Sequence, residues 1–211
     1  MSLFYQQDIN ETTRLGVWKI EEESSFFLEQ VPLHRNITHP HKKLQHLAGR
    51  YLLKFLFPDF PYELIRIADT RKPFLHNEQY HFSISHSGDY AAAIVSSTKR
   101  VGIDVELYSD KVMKVLHKFL SAEESQLIMD QDALPFINET LMWSVKESVF
   151  KWHGNGGVDF KEHIHIRGFG NSSEDKQLNT SFLGEPQAEL DVFFRLFDEV
   201  CLSWVSSDHT G

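Results

Sequence analysis

The segment 101–107 constrains the fold more than any other part of the chain, because acidic and aliphatic residues alternate there with a period of two. On a β-strand this pattern places Asp104 and Glu106 on one face and the aliphatic side chains on the other. Carboxylates brought together repel each other by roughly 1–4 kcal/mol per close pair at intermediate dielectric. The pattern therefore predicts a cation beside the strand. An all-oxygen ligand set favours Mg²⁺, which keeps water ligands and shares substrate phosphates.

Residues 136–152 have the apolar spacing of a helix. Pro135 precedes this segment and the glycine-rich run 154–157 follows it, which are typical start and stop signals. The predicted buried stripe of this helix consists of Met142, Val145, Val149 and Trp152.

A second stripe on the same helix, at steps of four, is formed by Trp143, Glu147 and Lys151. Taken alone, Glu147 and Lys151 form an ordinary i,i+4 surface pair, worth about 0.2–0.5 kcal/mol. With the acid pair of segment 101–107 upstream, a functional interpretation is favoured. One rigid helix would then present both a metal ligand and a cation for a phosphate.

Composition bounds the class of protein. The 211 residues, 41% of them hydrophobic, are enough for one domain of ordinary size or two small halves packed together. No run reaches the roughly 18 apolar residues of a membrane span, and the N-terminus lacks the regions of a signal peptide. A net charge of −9 argues against general nucleic-acid binding. We therefore expect a cytoplasmic protein with neither membrane nor nucleic acid as partner, and its lone Cys201 as a reduced core residue.

One segment runs against the acidic average. Between Glu29 and Asp59 there is no acid, and the basic residues of this stretch are Arg35, Lys42, Lys43, Arg50 and Lys54. Apolar residues at helical spacing predict a helix over 41–57. Its opposite face would carry Lys43, His46, Arg50 and Lys54. This face is interpreted as either a solvated helix surface or an anion site.

The remaining segments predict further strands and short helices. Residues 80–107 resemble a small antiparallel meander, with a turn at 86–89. A helix is expected at about 110–118, and Ser121 with Glu124 forms a capping box that opens another. Strands are predicted at 158–160, 163–166, 188–194 and 199–205. His163 and His165 would share one strand face, which favours a half-exposed strand over a metal pair.

Five ordered motifs resemble the surfactin-synthetase-type 4′-phosphopantetheinyl transferases. In chain order they are Arg71–Phe74, Phe82–Gly88, Gly102–Glu106, Phe119–Glu124 and Trp143–Lys151. The resemblance covers residues of about 42–156 in order and spacing, and Trp-x-x-Lys-Glu-x-x-x-Lys is its most specific part. It implies an α+β fold of two similar α/β halves related by pseudo-twofold symmetry, with the active site in the cleft between them. The halves expected here are 1–102, with the basic helix and coenzyme A phosphate contacts, and 103–211, with the metal ligands and catalytic helix.

The resemblance also implies an activity and a set of site residues. Such enzymes are holo-acyl-carrier-protein synthases, which move the 4′-phosphopantetheine arm of coenzyme A to a serine of an apo acyl- or peptidyl-carrier protein and release 3′,5′-ADP. By position, the metal ligands would be Asp104, Glu106 and Glu147. The expected coenzyme A contacts are Lys42, Lys43, Lys72, Ser85, His86, Lys146 and Lys151. Asp104, Glu147 and Lys151 are the expected catalytic residues, with Glu147 accepting the serine proton directly or through water.

One departure concerns the 3′-phosphate of coenzyme A. The family commonly has a basic residue early in the first-half helix, and this place falls on the uncharged Gln45. Lys42 or Lys43 is expected to take over that contact.

Two alternatives stay open at this point. A metal-dependent phosphohydrolase or nuclease could use the same three carboxylates, although Tyr108 stands where acid-x-Lys nucleases have lysine. A non-catalytic coenzyme A or carrier-protein binding module would bind its ligand without turnover. Because the chain has room for both halves, we expect a monomer.

Overall fold

The computed structural model describes residues 2–33, 36–129, 136–170 and 175–208. Arg35 and Pro135, which entered the sequence-based predictions, lie outside these ranges. Contacts between Cα atoms divide the chain into two compact units, Met1–Val101 with Asp208–Gly211 and Gly102–Ser207. Within the described ranges, no helix combines the length and apolar character needed to cross a membrane.

The first unit contains two antiparallel sheets and a long helix. In chain order its elements are β1 (Leu3–Asn10), β2 (Thr13–Lys19), α1 (Ser24–Leu28), α2 (Pro40–Leu56), a 3-10 helix (Tyr62–Leu64), β3 (Ile65–Ile67), β4 (Pro73–Leu75), β5 (His81–Ser87) and β6 (Tyr90–Ser96). Among the described residues, the main sheet has the strand order β1-β2-β6-β5, and β3 pairs with β4.

The second unit has the same kinds of element in a different order. Strand β7 (Lys99–Leu107) starts in the first unit and ends in the second. It is followed by a 3-10 helix (Asp110–Lys114), α3 (Leu116–Phe119), α4 (Ala122–Met129), α5 (Ile137–His153), α6 (Phe160–His163), β8 (Ile164–Phe169), β9 (Lys176–Phe182), β10 (Ala188–Leu196) and β11 (Val200–Asp208). The sheet formed by the described strands has the order β7-β11-β10-β9-β8.

Helix α2 confirms the predicted helix 41–57 within one residue at each end, but its basic face differs from the prediction. Leu47, Ala48 and Leu52 pack into the core of the first unit, as the apolar spacing predicts. Arg50, however, is only 7% exposed, and its guanidinium carbon lies 5.9 Å from the centroid of the Tyr62 ring. The interpretation of this face as a solvated surface is therefore wrong for Arg50, whose charged group lies over an aromatic ring.

Helix α5 confirms the predicted helix 136–152. Its predicted buried stripe is 0–3% exposed, and Gly154 ends the helix with a φ of 77°, a conformation that glycine adopts without steric cost. The capping box is confirmed as well. The Glu124 carboxylate accepts from Ser121 N–H at 2.8 Å, and the Ser121 hydroxyl accepts from Glu124 N–H at 3.2 Å.

Two predictions around residue 160 are wrong. Residues 158–160 do not form a strand, because the Asp159 carboxylate accepts from Lys161 N–H and Glu162 N–H and thereby caps α6. His163 consequently lies at the end of α6 and accepts from Asp159 N–H through Nδ1. It does not share a strand face with His165. The sequence analysis also missed β1, β2, β3, β4 and β9.

Candidate active site

Strand β7 and helix α5 face each other within the second unit. Gly102, Asp104 and Glu106 share one strand face, because side chains alternate along a strand. A Cβ on Gly102 would lie 2.0 Å from Ser148 O and 2.6 Å from Trp152 N, so only glycine permits this close approach. The approach positions the acidic side chains of the strand against the helix.

Two hydrogen bonds join the acidic side chains of β7 to α5. Lys151 Nζ donates to Asp104 Oδ1 at 2.6 Å. Trp143 Nε1 donates to Glu106 Oε1 at 3.2 Å, two residues further along the strand and eight residues back along the helix. The stripe predicted from the sequence therefore does lie against the predicted acid pair.

Glu147 lies on the same stripe, between these two contacts. Burial, together with the negative charges of Asp104 and Glu106, raises the pKa of Glu147 to about 7, although Lys151 opposes the shift. The three acids are therefore close enough to influence one another, as the sequence predicts. A cation placed among them would relieve this repulsion.

The chemistry of these donors fits a hard divalent cation, but their spacing does not form a closed metal centre. Among the described residues, no group of three or more His, Cys, Asp or Glu side chains is arranged to hold a metal ion. Asp104 Oδ1 is instead bound to the ammonium of Lys151. Mg²⁺ is commonly held by one or two carboxylates plus substrate phosphates and water, so a partial set of protein ligands is compatible with it.

Lys146 has a different environment from the one expected for a coenzyme A contact. Its side chain is 0% exposed. Its ammonium donates to Phe119 O at 2.7 Å, to Glu124 Oε2 at 2.8 Å and to Phe160 O at 2.9 Å, all within the described residues. An ammonium has three N–H donors, and these acceptors use all of them. The structure therefore corrects the expectation for Lys146, which has a structural role and not a phosphate contact.

Gln45 has a structural contact in the first unit. It is buried in α2, and its Nε2 donates to Gly88 O at 2.9 Å, while His41 Nε2 lies 3.0 Å from the same oxygen. Gly88 forms the turn between β5 and β6 and has a φ of 52°. The side chain of Gln45 thus attaches the first turns of α2 to the end of β5.

The predicted coenzyme A contacts on α2 and β5 are placed near this junction. Lys42 is exposed and Lys43 is half-buried in the first turn of α2. Ser85 and His86 are consecutive residues of β5, so their side chains point to opposite faces. His86 is exposed and accessible to a ligand, whereas Ser85 is buried.

A pocket of about 210 Å³ in the first unit adds a residue that the sequence analysis missed. Its lining includes Lys72, Tyr80, His81 and Arg100. Burial and the positive charge of Arg100 lower the pKa of Lys72 to about 8. Two cations that disfavour each other's charge are a suitable environment for an anion. Arg100 lies in β7 and directly precedes segment 101–107, but a basic residue at this place gave no sequence signal for this role.

Cys201 is confirmed as a buried free thiol. Burial raises the pKa of its thiol, so it is not a thiolate nucleophile.

Comparisons with known proteins agree with this geometry. The family model described as "4'-phosphopantetheinyl transferase superfamily" matches residues 100–201. Enterobactin synthase component D of Escherichia coli K12 is 30% identical over 141 residues, which are 63% of this chain and 68% of that protein. The 4'-phosphopantetheinyl transferase psf-1 of Bacillus pumilus is 35% identical over 81 residues, 36% of this chain and 33% of that protein. A putative 4'-phosphopantetheinyl transferase of Haemophilus influenzae is 26% identical over 158 residues, 72% of this chain and 63% of that protein.

These matches show that the chain belongs to the 4′-phosphopantetheinyl transferase superfamily and is a transferase of that kind.

Proposed function

We propose that this enzyme transfers the 4′-phosphopantetheine arm of coenzyme A to a serine of an apo acyl- or peptidyl-carrier protein and releases 3′,5′-ADP, with Mg²⁺ as metal. The names of its relatives support the transferase activity. The observation that carries the proposal is the contact of Asp104 and Glu106 with the stripe of α5 that contains Glu147. The surfactin-synthetase-type architecture, with two pseudo-twofold halves and the cofactor between them, is part of the proposal and comes from the family resemblance. A monomeric state and a cytoplasmic location are also part of the proposal.

Glu147 is the proposed proton acceptor. In the reaction, the serine oxygen forms a bond to a pyrophosphate phosphorus of coenzyme A, the bond from that phosphorus to 3′,5′-ADP breaks, and the serine proton moves to a base. Without a metal, burial and the neighbouring acids raise the pKa of this carboxyl to about 7. A cation bound beside it would lower this pKa and keep the group ionised, so that it can accept the proton directly or through a water molecule.

Lys151 is the proposed cation for the transferred phosphate. Its side chain is 24% exposed, so the ammonium can contact a ligand while its stem remains on α5. Its contact with Asp104 shows that the ammonium reaches the acid pair. Charge that develops on phosphate oxygens during transfer would be stabilised by an ammonium already positioned there.

Asp104, Glu106 and Glu147 would hold Mg²⁺. When bound, the metal would neutralise charge on the pyrophosphate oxygens and thereby lower the barrier to transfer. The protein contributes by keeping Asp104 and Glu106 at a fixed separation on β7.

The first unit supplies the proposed contacts to the rest of coenzyme A. Lys72 and Arg100 line one pocket and are suited to a phosphate. His86 is accessible on β5, and Lys42 and Lys43 lie in the first turn of α2. In place of the family's early basic residue, Gln45 binds the β5–β6 turn, so a lysine of this first turn is the proposed partner of the 3′-phosphate.

The test is a transfer assay with apo carrier protein, coenzyme A and Mg²⁺, read by mass spectrometry of the carrier protein. The expected result is a gain of the phosphopantetheine mass on one serine and equimolar 3′,5′-ADP. Matched variants are Asp104→Ala and Glu147→Ala, which should abolish transfer but leave the circular dichroism spectrum unchanged, since their removal relieves repulsion. An unmodified carrier protein across a panel of purified apo carriers would contradict the proposal. Release of phosphate or nucleotide without an acceptor would indicate a phosphohydrolase instead.

A further inference from the structure

The rings of Phe119 and Phe160 both contact Trp143 and form a clamp around it. Its ring centroid lies 5.1 Å from that of Phe119 in an edge-on arrangement and 5.5 Å from that of Phe160 in a tilted one. From this position its Nε1 donates to Glu106 Oε1 at 3.2 Å. The indole is therefore held by two ring contacts while its only donor points at a candidate metal ligand.

Lys146 anchors both sides of this clamp through the backbone. Its ammonium donates to the carbonyl oxygens of Phe119 and Phe160, the same residues whose rings contact Trp143. Its counter-ion Glu124 is also fixed, because it accepts from Ser121 N–H and from Ile166 N–H, each at 2.8 Å. The buried pair thus ties α3, α4, α6 and β8 to α5 around one indole ring.

We infer that Trp143 is a positioning residue that fixes the orientation of the Glu106 carboxylate for metal binding, and that the Lys146–Glu124 pair holds Trp143 in place. This inference rests on the proposed function. An indole N–H is neutral, so it can orient a carboxylate without competing for the negative charge that a cation requires. Lys151, by contrast, brings a full positive charge to Asp104.

Removing a group that orients a metal ligand typically costs about 10–100-fold in metal affinity or activity. Trp143→Phe retains a ring between Phe119 and Phe160 and removes only the donor to Glu106. We expect it to raise the dissociation constant for Mn²⁺ by about tenfold, and excess Mg²⁺ to restore turnover.

Trp152→Phe is the matched control. Trp152 lies on the same helix, and its Nε1 donates to Ser207 Oγ at 2.9 Å, which is not a candidate metal ligand. Mn²⁺ is titrated into each protein saturated with coenzyme A, without carrier protein, and free Mn²⁺ is followed by electron paramagnetic resonance. Circular dichroism checks that each variant is folded.

A weaker Mn²⁺ affinity in Trp143→Phe but not in Trp152→Phe supports the positioning role. Equal affinity in wild type and Trp143→Phe overturns it, and so does an equal loss in both variants. If the wild-type protein binds no Mn²⁺, the metal requirement of the proposed function fails together with this inference. If wild type binds Mn²⁺ and Trp143→Phe is unchanged, only the positioning role fails.

The anchoring step is tested by Lys146→Met combined with Glu124→Gln, which leaves no buried charge without a counter-ion. A folded double variant should also bind Mn²⁺ more weakly, by about tenfold, if the clamp depends on the pair. Wild-type affinity in this variant would show that the phenylalanine rings hold Trp143 without the ion pair, and would overturn that part of the inference.

Discussion

Two lysines of helix α5, five residues apart in the sequence, form ion pairs with opposite accessibility. In the Lys146–Glu124 pair the side chains are 0% and 3% exposed, and the ammonium also donates to two backbone carbonyls. In the Lys151–Asp104 pair the values are 24% and 2%, so the lysine is partly open to solvent. The Lys146–Glu124 pair is buried from solvent, whereas the lysine of the Lys151–Asp104 pair is accessible to a ligand.

The difference shows that a shared motif does not imply a shared role. Both lysines belong to the Trp-x-x-Lys-Glu-x-x-x-Lys segment, and both were expected to contact coenzyme A. A buried ion pair satisfied by protein groups cannot bind a substrate phosphate without breaking those contacts. An ammonium at a partly exposed position can do so at a lower cost, because water already reaches it. Burial therefore separates a structural lysine from a candidate functional one.

The largest effect expected from this comparison is on stability. Lys146→Met leaves the Glu124 carboxylate buried without its cation, and breaking a buried pair in this way typically costs about 3–5 kcal/mol in the free energy of unfolding. The measurement is urea denaturation of the variant and the wild type. Replacing Glu124 by Met as well should recover part of the loss, because no buried charge then lacks a partner. A loss below about 1 kcal/mol in the single variant would show that this pair is not closed in solution.

The second prediction concerns the partly exposed lysine. Lys151→Met should lower kcat/KM for coenzyme A by about a hundredfold, the usual effect of removing one group that stabilises developing charge. Lys151→Met also leaves the buried Asp104 carboxylate without its cation, so a loss of unfolding free energy is expected here too, and the two variants should differ in how strongly they affect turnover. Steady-state kinetics and urea denaturation of the two variants, measured side by side, provide the check. Reversed effects, with Lys151→Met unstable but active, would break the comparison.

How far the sequence predicts the fold depends on the length of the pattern. The apolar repeats in α2, α5 and β7 continue long enough to distinguish the 3.6-residue period of a helix from the two-residue period of a strand. The segment 158–160 was misinterpreted as a strand because the helix there depends on one capping carboxylate, Asp159, and not on an apolar repeat.

The site could be predicted to a similar degree. The stripe of Trp143, Glu147 and Lys151 and its partners Asp104 and Glu106 were identified from spacing alone. The role of Lys146 was missed, although helical geometry carried a signal for it. Lys146 lies four residues after Met142 and three before Val149, both in the buried stripe, so its position on the helix is on the core side. The sequence does not show which residue pairs with Lys146, since its partner Glu124 lies on another helix.

A third lysine, Lys72, extends the comparison, because another cation is among its neighbours. Burial and Arg100 lower the pKa of Lys72 from 10.5 to about 8, so above this pH Lys72 is largely neutral in the free protein. A bound phosphate favours the charged form and raises this pKa. Coenzyme A binding should therefore take up protons, and its affinity should fall as the pH rises through about 8.

Proton uptake is measured by isothermal titration calorimetry in two buffers with different ionisation enthalpies. At a pH of about 8.5 the phosphates of coenzyme A are already fully ionised, because the second pKa of a phosphate ester is about 6. The signal then reports protein groups. Lys72→Met should abolish most of the buffer dependence, whereas Lys54→Met on α2 should not change it. Buffer-independent binding by the wild type would place the phosphates away from Lys72.

The smallest expected effect belongs to Lys42, whose side chain is exposed to solvent. Because solvent and salt screen an exposed charge, its contribution to binding is about 0.5–1 kcal/mol, equivalent to about a two- to fivefold change in affinity. Lys42→Ala should therefore raise the KM for coenzyme A by this factor and leave kcat nearly unchanged, since the contact is remote from the reacting phosphorus. Dephospho-coenzyme A, which lacks the 3′-phosphate, should show no such rise. If kcat falls and KM does not, Lys42 acts on the chemical step and the 3′-phosphate is bound elsewhere. The same assay on Lys43→Ala decides which lysine of the first turn of α2 takes over from the basic residue that the family commonly has at the position of Gln45.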